Sequence, residues 1–296
     1  MKEYLENVRC VAPLIHNITN YVTANDVANV LLACGASPIM ADEEAEVEEI
    51  TAHCMGLNLN LGTLNQKKIP AMQKAGKMAN KLGHVVVLDP VGVGASSFRK
   101  QTAEQLLKEV RFDAIRGNIS EIKTLASLCG TQEKNSGNMA VSDTMDVGKI
   151  TGIDGSGRGV DADNADTVTE ENLAQHISNA KMLSKKLQTI VAITGAIDLV
   201  TDGSSCYVIR NGNPQMGHVT GAGCQLSGIL TAFLAANPEN KLQAAAAAVC
   251  MMGYAGELAA EKSGQSGSGT YRVSLMDAVS CMDGDILERG ARYEIR

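Results

Sequence analysis

The chain has 296 residues, of which 45% are hydrophobic and 20% charged, a balance that allows a globular protein to bury a large core. Its formal net charge of −7, without a dense run of lysine or arginine, argues against nucleic acids and anionic membranes as partners. No segment approaches the roughly 20 apolar residues of a membrane span, and the N-terminus MKEYLENVRC lacks the apolar stretch of a secretory signal. We therefore expect a cytoplasmic protein.

The cysteines point to a reducing compartment. The chain has eight, scattered singly, without the C-x-x-C pairs that a zinc or redox site would need. Most are predicted to be small buried side chains. Only Cys224 lies in a context that suggests chemistry.

Strand and helix patterns alternate along the first two thirds of the chain. Residues 11–40 predict a strand, a turn, a helix and a second strand, in which Thr23 and Asp26 cap the helix and Gly35 ends it. The alternation predicts a mainly parallel sheet covered by helices, an α/β fold. The further predicted strands are 57–61, 84–90, 113–116 and 189–194, and the further helices are about 66–82, 100–110, 119–128 and 169–187.

The pattern changes after residue 194. Two strands joined by a turn at Asp202-Gly203 are predicted there, followed by another turn at Asn211-Gly212. The rest of the chain is predicted to be almost wholly helical. Residues 130–166 are rich in Gly, Asp, Asn and Ser and predict a surface excursion within a single domain that spans residues 1–296.

One candidate site is the stretch HVTGAGCQLSGILTAF, residues 218–233, in which a Gly-x-Gly loop runs into an apolar helical pattern. Gly221 and Gly223 let the backbone approach a ligand, and a helix N-terminus offers unpaired N–H groups to an anion. A transferring phosphoryl group would suit that position. A tight turn without a ligand explains this stretch equally well when it is taken alone.

Charged residues at predicted strand ends provide a second group of candidates. Asp89 ends a buried strand and is followed by glycines, and ligands of open α/β sheets bind beyond the carboxyl ends of strands. A carboxylate there suits Mg²⁺ near phosphates, although Asp-Pro is also a common turn opening. Arg116 ends another strand and is a candidate nucleotide contact. Glu121 could join Asp89 at a hydrated Mg²⁺, but Asn118 and Glu121 by themselves are better explained as a helix-capping pair.

These stretches together supply the positioning and charge compensation that phosphoryl transfer requires. No Walker A motif, G-x-x-x-x-G-K-[ST], occurs in the chain, which argues against the P-loop class.

Eight segments occur in order from about residue 13 to residue 281: PLIHNITN, GASPIM, LNLGTL, VVLDPVGVGA, IRGNISEI, VAITGAIDLVTDG, VTGAGC and GTYRVSLMDAV. Together they closely resemble the hydroxyethylthiazole kinases of the ribokinase-like superfamily. The resemblance implies a three-layer α/β/α fold with a mainly parallel central sheet. It also implies ATP-dependent phosphorylation of the hydroxyl of 4-methyl-5-(2-hydroxyethyl)thiazole in thiamine biosynthesis or salvage, with Mg²⁺ as cofactor, by a homotrimer with active sites at subunit boundaries.

The resemblance also implies residue roles. Asn20 and Met40 would line the thiazole pocket, and Arg116 and Thr194 would contact ATP. Asp89 and Glu121 would serve the metal. The anion hole would be formed by Gly221, which would also lie close to the substrate, together with Ala222, Gly223 and Cys224.

Without the resemblance, three of these positions have simpler interpretations. Asn20 would be a turn residue, Met40 a core side chain and Thr194 the end of a strand. The segment near 131–152 is longer than the usual connection in the family and lies near the predicted nucleotide edge.

Cys224 occupies a position at which the wider superfamily generally has an Asp that acts as base. A helix N-terminus lowers a thiol's pKa from about 8.5, so we expect Cys224 to be at most a modest base. Two other functions remain open at this point. One is a kinase for another small heterocyclic alcohol such as hydroxymethylpyrimidine, and the other is a non-catalytic regulator that binds the thiazole or a nucleotide.

Overall fold

The structure, a computed structural model, describes residues 1–130 and 167–296. The strands are β1 (Leu14–Ile18), β2 (Ser37–Met40), β3 (Gly56–Asn60), β4 (Val85–Asp89), β5 (Ala114–Gly117), β6 (Ile190–Ile193), β7 (Asp198–Thr201), β8 (Cys206–Ile209) and β9 (Tyr293–Ile295). The helices are α1 (Lys2–Val11), α2 (Ala24–Cys34), α3 (Val47–His53), α4 (Lys68–Leu82), α5 (Ser97–Glu109), α6 (Ile119–Leu128), α7 (Leu173–Leu187), α8 (Ala222–Ala236), α9 (Lys241–Ser263), α10 (Ser268–Cys281) and α11 (Gly284–Gly290). Beyond residue 130, the predicted excursion lies outside the described residues.

The strands form one sheet in the order β2-β1-β3-β4-β5-β6-β7-β8-β9. The strands from β2 to β6 in this order pair in parallel, and β7, β8 and β9 pair antiparallel at the far edge. Because β1 lies between β2 and β3, the sheet grows in opposite directions on its two sides. Such a reversal opens a crevice at the carboxyl ends of β1 and β3, where open α/β sheets bind ligands.

Helices cover both faces of the sheet. In β4, Val85 and Val87 point into the core formed with α8 and α9, whereas Val86 and Leu88 point into the core formed with α4, α5 and α6. All five residues of β4 are buried, which explains a run of β-branched residues without polar alternation. The predicted three-layer α/β/α architecture with a mainly parallel sheet is therefore confirmed.

Short elements at both ends of the chain escape the sequence prediction. Helix α1 was not predicted, although Leu5 and Val8, three residues apart, share one buried face of it. Strand β9 pairs with β8, so the last third of the chain is not wholly helical. Its three residues have no buried side chain, and the strand forms because β8 presents a pairing edge.

The predicted cap of α2 was wrong. Thr23 occupies the N-cap, but its hydroxyl donates to Asn20 Oδ1 at 3.0 Å and caps no backbone N–H. Asp26 instead forms an ion pair with Arg272 of α10. Gly35 ends the helix in the left-handed conformation, with φ of 99°, as predicted.

The expectation that no segment approaches a membrane span was wrong by length and composition. Within the described ranges, the helical segment Pro238–Ser263 is long and apolar enough to cross a membrane, and 78% of its most apolar window is buried inside the protein. Its alanines pack against α8 and the sheet, where small side chains let the backbones approach closely. Core packing therefore explains the apolar, alanine-rich composition of this segment.

Candidate active site

Polar side chains collect at the carboxyl edge of the sheet. Asn60 and Asp89 are the last residues of β3 and β4, and Asn20 and Thr194 follow β1 and β6 closely. Arg116 lies one residue before the end of β5. The N-terminus of α8 reaches the same edge, because α8 packs on β1, β3 and β4. Residues that the sequence predicts to contact the thiazole or ATP thus lie on or next to neighbouring strands.

Asp89 is fully buried and lies at the centre of this group. Its Oδ2 accepts hydrogen bonds from Asn60 Nδ2 at 2.7 Å and Ser227 Oγ at 2.9 Å. Its Oδ1 has no hydrogen-bond partner among residues 1–130 and 167–296 and lies 3.6 Å from Arg116 Nη1. Burial raises the pKa of the Asp89 carboxyl, and the Arg116 guanidinium opposes this shift. A buried carboxylate with one oxygen unbonded is chemically poised to accept a cation.

Arg116 connects this carboxylate to the next strand. Its Nη2 donates to Thr194 Oγ1 at 2.6 Å, and the Thr194 N–H donates to Gly117 O at 2.9 Å. The guanidinium lies against α8 at Gly223, where a Cβ atom would collide with it. Because Gly223 has no side chain, the Arg116 guanidinium fits beside the N-terminus of α8.

Gly221 is the N-cap of α8 and has φ of 88°, a conformation that favours glycine. A Cβ at this position would approach Thr23 Cγ2 to 2.5 Å. No side chain in the described part of the chain caps α8, and the first N–H groups of a helix have no partner within the helix. The loop and helix start therefore have the features of an anion-binding site.

Cys224 lies in the first turn of α8 with its side chain buried. Its Sγ accepts hydrogen bonds from Asn60 Nδ2 at 3.2 Å and Asn20 Nδ2 at 3.3 Å. Burial and the nearby negative charge of Asp89 raise the pKa of the thiol to about 11. The expectation of a lowered pKa was wrong, because burial and the carboxylate outweigh the effect of the helix N-terminus.

Glu121 forms the capping box that its spacing predicts. Its Oε2 accepts from the Asn118 N–H at 2.8 Å, and the Glu121 N–H donates to Asn118 Oδ1 at 2.9 Å. Its Oε1 accepts from the Gly92 N–H at 2.8 Å. Burial, with a contribution from the charge of Asp89, raises the pKa of Glu121. The capping interpretation is therefore confirmed, and it leaves lone pairs of both oxygens for a further partner.

The carboxylates of Asp89 and Glu121 fit a hydrated Mg²⁺. Burial makes the charged form of each carboxylate unfavourable, and the charge of Asp89 further raises the pKa of Glu121. A bound cation would relieve the repulsion between the two carboxylates. Among the described residues, no group of three or more His, Cys, Asp or Glu side chains could hold a metal. Mg²⁺ typically uses one or two carboxylates and completes its shell with water and phosphate.

Met40 lies at the margin of the site. It ends β2, pairs with Asn17 of β1 and is 39% exposed, so it is not the core side chain that the simpler interpretation suggests. Asn20 is a turn residue, as the simpler interpretation suggests, because its Oδ1 accepts from the Val22 and Thr23 N–H groups. Its Nδ2 also contacts Cys224 Sγ at 3.3 Å.

Sequence reasoning missed two residues of the site, Asn60 and Ser227. Asn60 shares one signal with Asp89, a polar side chain at the end of a buried strand, but Asn58 on the same strand carries a similar signal and lies outside the site. Ser227 lies one helical turn after Gly223, on the face of α8 that packs on the sheet, and only the contact with Asp89 distinguishes it from other helical serines.

Gly223→Ala should displace the Arg116 guanidinium from Asp89 and Thr194, because the added methyl group occupies its position. We expect the KM for ATP to rise about tenfold, with a smaller change in the KM for the acceptor, since one charge-assisted contact is weakened. Steady-state kinetics would measure both constants. Gly269→Ala in α10 is the control, because nothing lies within 4 Å of its Cβ position. An unchanged KM for ATP would contradict the prediction.

Asp198 gives a pH-dependent stability. Its buried carboxyl accepts from the Gly195 N–H at 2.8 Å, and burial raises its pKa from 3.8 to about 7. The folded state therefore binds the proton more tightly than the unfolded state, so the free energy of unfolding falls as pH rises from about 4 to about 7. Asp198→Asn has no carboxyl to titrate. Its free energy of unfolding, relative to that of wild type, should therefore rise by about 2 kcal/mol between pH 5 and pH 8. Urea unfolding of both proteins at pH 5 and pH 8 measures this change. The same difference between variant and wild type at the two pH values would refute the prediction.

The comparisons with known proteins agree with this geometry. The Hydroxyethylthiazole kinase family model matches residues 5–140 and 136–285. The chain is 53% identical over 295 residues to a hydroxyethylthiazole kinase of Clostridium acetobutylicum, covering 99% of both chains. It is 41% identical to one of Desulfovibrio desulfuricans, covering 99% of this chain and 96% of the relative.

Solved structures give the same result. A hydroxyethylthiazole kinase from Pyrococcus horikoshii OT3 superposes with a TM-score of 0.81 at 31% identity, covering 99% of this chain and 98% of the other. A pyridoxal kinase from Staphylococcus aureus, in complex with ADP, shares the fold with a TM-score of 0.57 at 14% identity, covering 96% and 97%. This chain therefore belongs to the hydroxyethylthiazole kinase family and is a kinase with a ribokinase-like fold.

Proposed function

We propose that the protein transfers the terminal phosphoryl group of ATP to the hydroxyl of 4-methyl-5-(2-hydroxyethyl)thiazole, a step of thiamine biosynthesis or salvage. The observation that carries the proposal is the continuous contact from Asn20 through Cys224, Asn60 and Asp89 to Arg116, at the start of α8. These contacts connect the proposed binding site of the alcohol with that of ATP at the N-terminus of α8, where an anion would bind. The names of the relatives support the thiazole as acceptor.

The thiazole would bind at the crevice beyond β1 and β3, against Asn20, Met40 and Gly221. Three side chains at this margin are exposed or partly exposed: Tyr21 is 67%, Val22 61% and Met40 39% exposed. Apolar side chains around a pocket are typical of a surface that another subunit covers. The family resemblance implies a trimer, and together with this surface it leads us to propose a homotrimer whose active sites lie at subunit boundaries.

ATP would bind beyond β5 and β6. The Arg116 guanidinium and the Thr194 hydroxyl already contact each other there and would contact the nucleotide phosphates. The anion hole at the start of α8 would hold the transferring group with backbone N–H donors. Its members would be Gly221, Ala222, Gly223 and Cys224.

Asp89 and Glu121 would hold Mg²⁺, consistent with the unbonded Oδ1 of Asp89 and the raised pKa values of both groups. When bound, Mg²⁺ would neutralise phosphate charge as the phosphoryl group is transferred. Before it binds, Arg116 provides the compensating positive charge beside Asp89.

Cys224 would contact the substrate hydroxyl as a neutral thiol, since its pKa is about 11. A loose, metaphosphate-like transition state needs little deprotonation of the nucleophile at an early stage. The contribution of Cys224 is then mainly orientation of the hydroxyl toward the phosphoryl group. We further propose that the chain acts as a single kinase domain in the cytoplasm, in line with its composition.

The deciding experiment measures ADP release by the purified protein with Mg·ATP and the hydroxyethylthiazole. Hydroxymethylpyrimidine and a sample without any alcohol serve as controls, and mass spectrometry identifies the phosphate ester. We expect thiazole-dependent ADP and the thiazole monophosphate. ADP release with the pyrimidine alone would assign another acceptor, and thiazole binding without any ADP would indicate a regulator.

A further inference from the structure

Asn60 occupies the junction between the two halves of the site. Its side chain is fully buried and therefore has no access to a substrate. Its Nδ2 donates to Asp89 Oδ2 at 2.7 Å and to Cys224 Sγ at 3.2 Å. Its Oδ1 accepts from the Gly62 N–H at 2.8 Å and from Asn20 Nδ2 at 3.1 Å. The two donors and two acceptor sites of the amide are all used.

This set of contacts fixes the orientation of the Asn60 amide. A flipped amide would place Oδ1 against the carboxylate of Asp89 and Nδ2 against the N–H of Gly62. Both contacts would be repulsive in a buried site, where an unmade hydrogen bond costs most. One amide group thus holds the Cys224 sulfur and the Asp89 carboxylate in a fixed relation.

We propose that Asn60 is the positioning residue that couples Cys224 to Asp89. It keeps the part of the site that binds the alcohol in a fixed geometry relative to the part that binds metal and nucleotide. This inference rests on the proposed function. A substrate hydroxyl at Cys224 must lie in line with a phosphoryl group beside Asp89, and small displacements of such groups cost large factors in rate. Asn60 acts on the reaction only through its two partners.

The chain offers a matched control, Asn58. It lies two residues earlier on β3, on the same face of the sheet, and is also fully buried. Its Nδ2 donates to Asn17 Oδ1 at 3.1 Å, away from Cys224 and Asp89. Asn60→Ala and Asn58→Ala therefore remove the same group from the same strand, and only the first removes the coupling.

The test is a double-mutant cycle between residues 60 and 224. Asn60→Ala should lower kcat about 10–100-fold, as loss of an outer partner of a catalytic group typically does, with the KM values for thiazole and ATP changed less than threefold. In a Cys224→Ala background, Asn60→Ala should lower kcat clearly less, because its partner is gone. Asn58→Ala should change kcat little in either background.

Urea unfolding of the same four proteins gives a readout that does not depend on activity. If the hydrogen bond couples the residues, Asn60→Ala lowers the urea midpoint less in the Cys224→Ala background than in wild type. Should Asn60→Ala not fold, Asn60→Leu takes its place, since leucine is similar in size, carries no charge and lacks both N–H donors. Full additivity in kcat and in the urea midpoint, or equal kcat losses for Asn58→Ala and Asn60→Ala, would overturn the proposal. A wild type without thiazole-dependent ADP release would instead reject the proposed function.

Discussion

Asp89→Asn should lower kcat about 10³-fold, the largest loss that we expect from a single amide substitution in this site. The amide oxygen can replace Oδ2 as acceptor for Asn60 and Ser227. The amide nitrogen then faces Arg116 Nη1, which lies 3.6 Å from Oδ1 in the wild type. Two donors oppose each other there, and the charge that would hold Mg²⁺ is lost. ADP release with saturating substrates measures the effect.

The same substitution should not destabilise the fold. Asp89 is fully buried and its pKa is raised by burial, so its charge costs free energy in the folded state. We expect the free energy of unfolding of Asp89→Asn to equal or exceed that of wild type, a trade of stability for function. Asp113→Asn is the control, because Asp113 precedes β5 at the opposite edge of the sheet and pairs with Lys241. It should retain wild-type kcat, and an active Asp89→Asn would refute the role of the carboxylate.

Cys224→Ala should lower kcat about 10²-fold while raising the KM for the thiazole much less. The thiol lies between two amide donors and the start of α8, where it would orient the hydroxyl. Alanine keeps the helix and leaves the hydroxyl without that contact. A raised KM with unchanged kcat would instead assign Cys224 to the lining of the pocket.

The pH profile separates the two chemical roles of this thiol. With a pKa of about 11, only about one molecule in 10⁴ carries a thiolate at pH 7. We expect the wild-type kcat to change little between pH 7 and pH 9, because the neutral thiol persists throughout this range. Cys224→Ser, which keeps a neutral donor, should retain more activity than Cys224→Ala. A tenfold rise of kcat per pH unit that Cys224→Ala abolishes would show that the thiolate acts as base.

The sequence by itself determined the order and type of most elements. The β-branched run of β4 identifies a strand buried on both faces, and the glycine at position 35 ends α2 as predicted. Periodicity reports such local preferences directly. The same reasoning placed Asp89, Arg116 and Thr194 at strand ends, because the carboxyl ends of parallel strands share one edge of the sheet.

Only the tertiary structure decided which of these polar groups touch and what their surroundings do to them. The thiol pKa of Cys224 depends on burial and on a carboxylate 135 positions earlier in the chain, neither of which a helix start in the sequence reveals. Asn60 and Ser227 join the site because β3, β4 and α8 pack together. Long-range packing fixes dielectric environment and hydrogen-bond partners, and these quantities set the chemistry of a site.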